Sequence, residues 1–316
     1  MCPMHALCAY VRVAIVSGTI ILAVAPCGHS QSESNHQGAP RLHRERLATT
    51  DLELNGDLKG APRGATRYIS REDLLTLPQV SSTVTDDSNF KGPTEVSGVL
   101  LEEVMKAFAV SAKADLAVAV CDDRYHAHYP QHYLAAHHPL LVLKINGHPP
   151  ESWPKSAEGE EDMGPYLISH REFTPGAAIL SHREEAQIPW GVIHLEFRDE
   201  KSVMGSISPR GPQRDNSAVQ SGYRIAQQNC LRCHNMGSYG GDKAQHPWLV
   251  LSAWAATSPE YFATYVRNPQ SRNPQAQMPG NPAYDVETLK ALTAYFATFT
   301  NRVQSSPTPA LSREKP

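Results

Sequence analysis

Val219–Gly237 reads VQSGYRIAQQNCLRCHNMG, and the five residues Cys230-Leu231-Arg232-Cys233-His234 at its centre decide what the chain around them must be. Val219–Gln228 has the composition of a helix that runs directly into the first cysteine. Two cysteines three apart at the end of a helix can reach the two vinyl groups of one porphyrin and form thioethers. The adjacent His234 then sits where its imidazole can bind the iron from the proximal side. Two other chemistries use paired cysteines. A redox dithiol usually opens a helix behind a strand, whereas here the helix comes first. A zinc site needs a second Cys/His pair, and none is spaced for it. The motif therefore reads as one covalently attached haem c, whose thioethers offset the small core of so short a domain.

The residues downstream extend that reading. Ser258-Pro259-Glu260 offers a cap with proline at the first helical position, predicting a helix to about Arg267. Asp285–Phe299 is the clearest helix of the sequence, with Leu289, Leu292, Tyr295, Phe296 and Phe299 along one face. Residues 216–302 resemble a class I cytochrome c domain. The resemblance rests on the opening helix with Gly222, the attachment loop, Met278-Pro279 in QAQMPGNP, and the closing helix with Leu292 and Tyr295. It implies an all-α fold, electron transfer between redox proteins, and Met278 as distal iron ligand opposite His234. A thioether ligand raises the reduction potential relative to two histidines. His246 also lies between the attachment motif and the next helix and is the competing sixth ligand; water-ligated iron is the third option. Met236 is too near His234 to reach the opposite haem face.

Upstream the period changes. Asp115–Val120 (DLAVAV), Leu140–Ile145 (LLVLKI) and Trp190–Arg198 (WGVIHLEFR) read as strands, and Asn146-Gly147 as a turn. Ser70-Arg-Glu-Asp-Leu-Leu opens a short helix that Pro78 stops, and Ser97–Phe108 places Leu100, Leu101, Val104, Met105 and Phe108 at helical spacing. These elements predict an α+β domain over 66–200. Ser206–Asn216, rich in Ser, Pro, Gly and Arg, marks a linker, placed at 201–215. Residues 68–198 resemble the molybdopterin-binding fold of the sulfite oxidase superfamily, through SREDLLTLPQ, SGVLLEEVMKAF, AVAVCDDRYHAHYP, LLVLKINGHPP and GPYLIS. A working member of that superfamily uses a cysteine thiolate on molybdenum within a Cys-small-Gly-Asn segment. Here Cys121 is followed by Asp122-Asp123-Arg124, whose carboxylates oppose an anionic cofactor. The expectation is a relative without molybdopterin. His126, His128, His132, His137, His138 and His148, with Cys121 and Asp122, allow a copper or zinc reading; the alternative is a solvated Tyr/His-rich edge and loop.

The rest of the 316-residue chain sets the context. Val13–Ala25 is an apolar run of 13 residues behind Arg12, too short to cross a bilayer comfortably and suited to an export signal over 1–30. Cys27 would allow lipidation, although Pro26 stands where such a signal wants a small residue. Residues 31–65 read as a flexible leader and 303–316 as a flexible tail. With Cys2 and Cys8 removed, and Cys27 also where cleavage follows Ser30, the spaced pair and a lone Cys121 do not make a disulfide scaffold. A net charge of −3 points away from nucleic-acid partners. Ala65–Glu200 holds 11 Lys+Arg against 21 Asp+Glu, net −10, and Asp215–Arg302 holds 7 against 5, net +2, which favours docking of the two regions only weakly. The expected protein is an exported, periplasmic or secreted, monohaem electron carrier with redox protein partners. The rival is a molybdopterin-dependent oxidoreductase that acts on a small oxyanion and uses the haem as electron exit.

Overall fold

In the computed structural model the described residues are 40–170 and 187–300. The expected signal, the leader as far as residue 39 and the tail lie outside them. Nine strands precede the cytochrome-like helices among the described residues. The first sheet has the order β2 (Arg67–Ile69), β1 (Leu52–Gly56), β9 (Val192–Arg198), β5 (Leu116–Cys121), β6 (His126–Pro130). Its β1–β9 pair is parallel and its other pairs are antiparallel. The second sheet has the order β3 (Val80–Val84), β4 (Thr94–Leu100), β7 (Pro139–Ile145), β8 (Leu167–His170), antiparallel throughout.

Alternation along the strands divides the residues among three cores. Leu52, Leu54, Ala117, Ala119, Tyr129, Leu195 and Phe197 of the first sheet share a core with Val99, Leu141, Leu143 and Ile168 of the second. The other face of the second sheet, with Val96, Leu140, Val142 and Leu167, packs under Phe90, Trp153 and Met163. Being covered on both faces, β7 reads PLLVLKI, almost without a polar residue. The other face of the first sheet sends Leu116 and Val118 into the core of the C-terminal helices.

Four expectations are corrected. Residues 52–56 are no leader: Leu52 and Leu54 are fully buried on β1, between β2 and β9. Ser97–Leu100 is strand, and the helix α2 begins only at Leu101 and ends at Ala107. The ladder to β7, with Val99 opposite Leu141, overrides local helical spacing there. Residues 201–215 are no free linker. Helix α4 (Glu200–Ser206) buries Val203 and Met204. Beyond it, Ile207 is fully buried, and its carbonyl accepts from Tyr295 Oη at 2.5 Å. Finally, the helix after Ser258 starts on its proline alone, because the Ser258 side chain makes no capping bond.

The C-terminal region is all helical: α5 (Ser217–Asn229), α6 (Trp248–Thr257), α7 (Pro259–Arg267) and α8 (Val286–Ala297). Helices α5 and α8 cross at Gly222, where a Cβ would meet the Ala291 carbonyl oxygen at 2.1 Å. Only glycine permits that approach, so the crossing is written into residue 222. Trp248 fills the space beside the crossing, 4.9 Å from Phe296 and 6.2 Å from Tyr295 by ring centroid.

Candidate functional site

Helix α5 delivers the cysteine pair. Its hydrogen bonding runs on past Asn229, with Cys230 N and Leu231 N both donating to Ala226 O. A further turn follows, closed by Cys233 N and His234 N on Cys230 O at 3.2 and 2.9 Å. Cys230 and Cys233 are thus one turn apart on one side of the chain, half-buried, and neither is in a disulfide. Burial pushes the Cys233 thiol up, so it is held as the thiol.

The geometry of His234 is the most informative feature. The imidazole is buried, and Nδ1 lies 2.6 Å from the carbonyl oxygen of His246. A carbonyl can only accept, so Nδ1 carries the proton and Nε2 keeps its lone pair. Burial also pushes the His234 pKa down, which keeps the ring neutral. A neutral imidazole, oriented by a backbone carbonyl and beside two thiols, is the donor set that a covalently attached haem iron needs. The residues fit the group.

The loop under the motif is tightly bonded. Gly241 N donates to Leu231 O, Ala244 N to Cys233 O and Trp248 N to Asn235 O at 2.7–3.0 Å. His246 therefore presents its backbone to the Nδ1 edge of His234, away from Nε2, while its ring packs on Trp254 at 4.8 Å. Met278 lies elsewhere, half-buried on the loop before α8. Gln270 Nε2 holds the Met278 carbonyl at 3.1 Å, and Asn281 ties the loop to α7 through Val266 O and Arg267 O. Among the described residues, no hydrogen bond or ring contact joins the Met278 side chain to the attachment turn.

The other histidines are dispersed. His138 pairs with Glu102 at 2.7 Å, His137 packs on Tyr133 at 4.5 Å, and His132 and His148 are exposed. His126 and His128 do share one face of β6, with ring centroids 6.3 Å apart. Among the described residues no group of three His, Cys, Asp or Glu side chains is placed to hold a metal ion. Cys121 is buried, and desolvation, followed by the charges of Asp123 and Asp122, pushes its thiol well up. Without a metal beside it, Cys121 is therefore held as the thiol.

Sequence reasoning missed the surface that joins the two regions. His126 N donates to Arg232 O at 2.9 Å, between the two cysteines, and Asp242 N donates to Arg124 O at 3.0 Å. Arg124 pairs with Asp242 at 3.4 Å, Lys243 pairs with Asp123, and Gln187 Nε2 donates to Gln228 Oε1 at 3.1 Å. A Cβ at Gly241 would meet Arg232 O at 1.8 Å and Arg124 O at 3.0 Å, so a side chain there would separate the two. Charge asymmetry was a poor guide, since each side supplies one cation and one anion to exposed pairs of small energetic worth. The signal lay in Leu116 and Val118, apolar on the outward face of a strand whose other face was already buried.

Residues 217–296 match the family model described as cytochrome C oxidase, cbb3-type, subunit III. No curated protein matches the chain. Among solved structures, the sulfane dehydrogenase SoxCD from Paracoccus pantotrophus is similar at 13% identity with a TM-score of 0.32. That match covers 54% of this chain and 45% of the other, so it spans less than half of the matched SoxCD chain.

Proposed function

We propose, from the premise that residues 217–296 form a cytochrome c domain with covalently bound haem c, that the protein is an exported monohaem electron carrier. Cys230 and Cys233 would hold the haem through thioethers, and His234 Nε2 would bind its iron. The observation that carries this is the 2.6 Å bond from His234 Nδ1 to His246 O, which fixes the tautomer that leaves Nε2 available. The haem supplies one-electron redox chemistry, and the chain binds it, orients its ligand and excludes water. Outer-sphere transfer of this kind needs redox protein partners and no catalytic side chain.

Met278 is the sixth ligand in this reading. His246 is disfavoured because its carbonyl is committed to the Nδ1 edge of His234 and its ring to Trp254, so a second iron ligand would come from another segment. The Met278 loop, pinned to the end of α7, supplies one. Export to a periplasmic or extracellular space is supported by Val13–Ala25 and by the cysteine usage.

The N-terminal region is, on its sequence resemblance, a molybdopterin-binding-like fold that works without the cofactor. One observation favours the oxidoreductase reading: the Cys121 thiol lies near enough to feel Cys233, so a redox group there would be close to the haem. The two carboxylates that follow Cys121, Asp122 and Asp123, weigh against it, because they oppose an anionic cofactor. Metal content decides the matter. The full chain, made in a host that attaches haem c, is expected to hold one iron and no molybdenum, with Cys230→Ala/Cys233→Ala losing covalent haem. Stoichiometric molybdenum that disappears in Cys121→Ser would make the enzyme reading correct, and absence of iron would refute both.

A further inference from the structure

We propose that the β5–β6 hairpin is a fixed wall of the haem site, so that the chain covers its own thioether edge and meets outside redox partners through the Met278 loop. The proposal takes a haem on Cys230, Cys233 and His234 from the reading above and adds which faces of it are closed and open. The hairpin lies along the attachment loop. The backbone of Arg232, between the two thioether cysteines, is bonded by His126 N, and the next loop returns through Asp242 N to Arg124 O. Two hydrogen bonds in opposite directions make the contact a short piece of backbone pairing, which side-chain motion does not release.

The contact is also anchored from below. Leu116 and Val118 of β5 share one core with Ile225, Leu231, Trp248, Leu292 and Tyr295. The strap after β9 adds Met204 O and Ile207 O, which accept from Tyr223 Oη at 2.8 Å and Tyr295 Oη at 2.5 Å. Lifting the hairpin would expose Leu116 and Val118 and break the His126 N–Arg232 O and Asp242 N–Arg124 O bonds, so opening the wall loses core burial and backbone bonds together.

The open face has a defined chemistry. From Tyr261 to Tyr284 the chain carries Arg267 and Arg272 and no carboxylate, and both arginines are exposed. The exposed Tyr261, with Arg272 over its ring at 5.8 Å, lies on the same stretch. Charge complementarity selects a redox protein that displays carboxylates around its own centre.

Two measurements on the haem-loaded full chain test this. In hydrogen exchange, the amides of His126 and Asp242 are expected to exchange as slowly as the core of α5 and α8. Exchange at the rate of an open loop would overturn the wall. In stopped-flow oxidation of the reduced protein by hexacyanoferrate(III) at low ionic strength, Arg267→Gln/Arg272→Gln is expected to slow the reaction several-fold, an effect that added salt removes. Lys243→Gln, beside the covered edge, is expected to change it less than twofold. The reverse order would show that electrons pass at the thioether edge and would overturn the assignment of the open face. A chain without iron would instead overturn the carrier reading, before either measurement applies.

Discussion

Replacing Gly222 by alanine sets two effects against each other. Helix propensity alone favours the change by about 1 kcal/mol, because glycine is the poorest helix former after proline. The crossing opposes it. The new Cβ would stand 2.1 Å from Ala291 O and 2.7 Å from Tyr295 Cβ, where ordinary contacts begin near 3.4 Å. Both obstacles belong to the backbone or the first side-chain carbon of α8, so no rotamer change relieves them. The helices must separate by more than an ångström, which loosens Trp248, Tyr295 and Phe296 together. Overpacking of this kind costs about 1–3 kcal/mol, and a backbone obstacle belongs at the upper end of that range. The net expectation is a loss of about 1–2 kcal/mol. Gly205 is the control: it is exposed on α4, and a Cβ there meets nothing within 4 Å. Gly205→Ala should therefore gain about 0.5–1 kcal/mol. Urea unfolding of the haem-loaded chain, followed by far-UV circular dichroism, reads both as midpoint shifts at unchanged slope. If Gly222→Ala is as stable as the parent while Gly205→Ala gains, the close crossing of α5 and α8 is refuted.

Other outcomes can be checked with the same material. Burial pushes His128 and His170 down to about 3, so the unfolded chain takes up protons near pH 6.5 that the folded chain refuses. Stability should thus fall as pH drops below 6.5, by about 1.4 kcal/mol per histidine between pH 7.5 and 5.5, and His128→Gln should remove one such increment from the urea titration. Tyr295→Phe leaves Ile207 O buried without its donor and should cost about 1–2 kcal/mol in the same assay, with the haem spectrum retained. Met278→Ala should lower the haem reduction potential and abolish the sulfur-to-iron charge-transfer band of the ferric protein; an unaltered spectrum would exclude Met278 as ligand. Asp285→Ala removes the cap on Thr288 N at 2.7 Å and should cost about 1 kcal/mol without shifting the potential.

Local chemistry was legible in the sequence by itself. The attachment turn, its preceding helix and the final helix are set by residues within a few positions of one another, whereas Gly222 marks a close approach whose partners, Ala291 and Tyr295, lie far along the chain on α8. Strands β5, β7 and β9 showed themselves by their apolar runs. What depends on distant partners did not show. Leu52 and Leu54 look like any two leucines in a polar leader until β2 and β9 flank them, and Ser97–Leu100 has a helical spacing that only β7 overrules. The carbonyl that orients His234 comes from His246, 12 residues on, and a backbone oxygen carries no residue-type signal. The contact of the β5–β6 hairpin with Arg232 and Asp242 is likewise made mostly by backbone groups more than 100 residues apart. Sequence specifies the side chains of the attachment turn, because they are neighbours along the chain. Which backbone carbonyl holds the His234 ring, and which surface lies along the turn, is decided only when distant strands and helices pack.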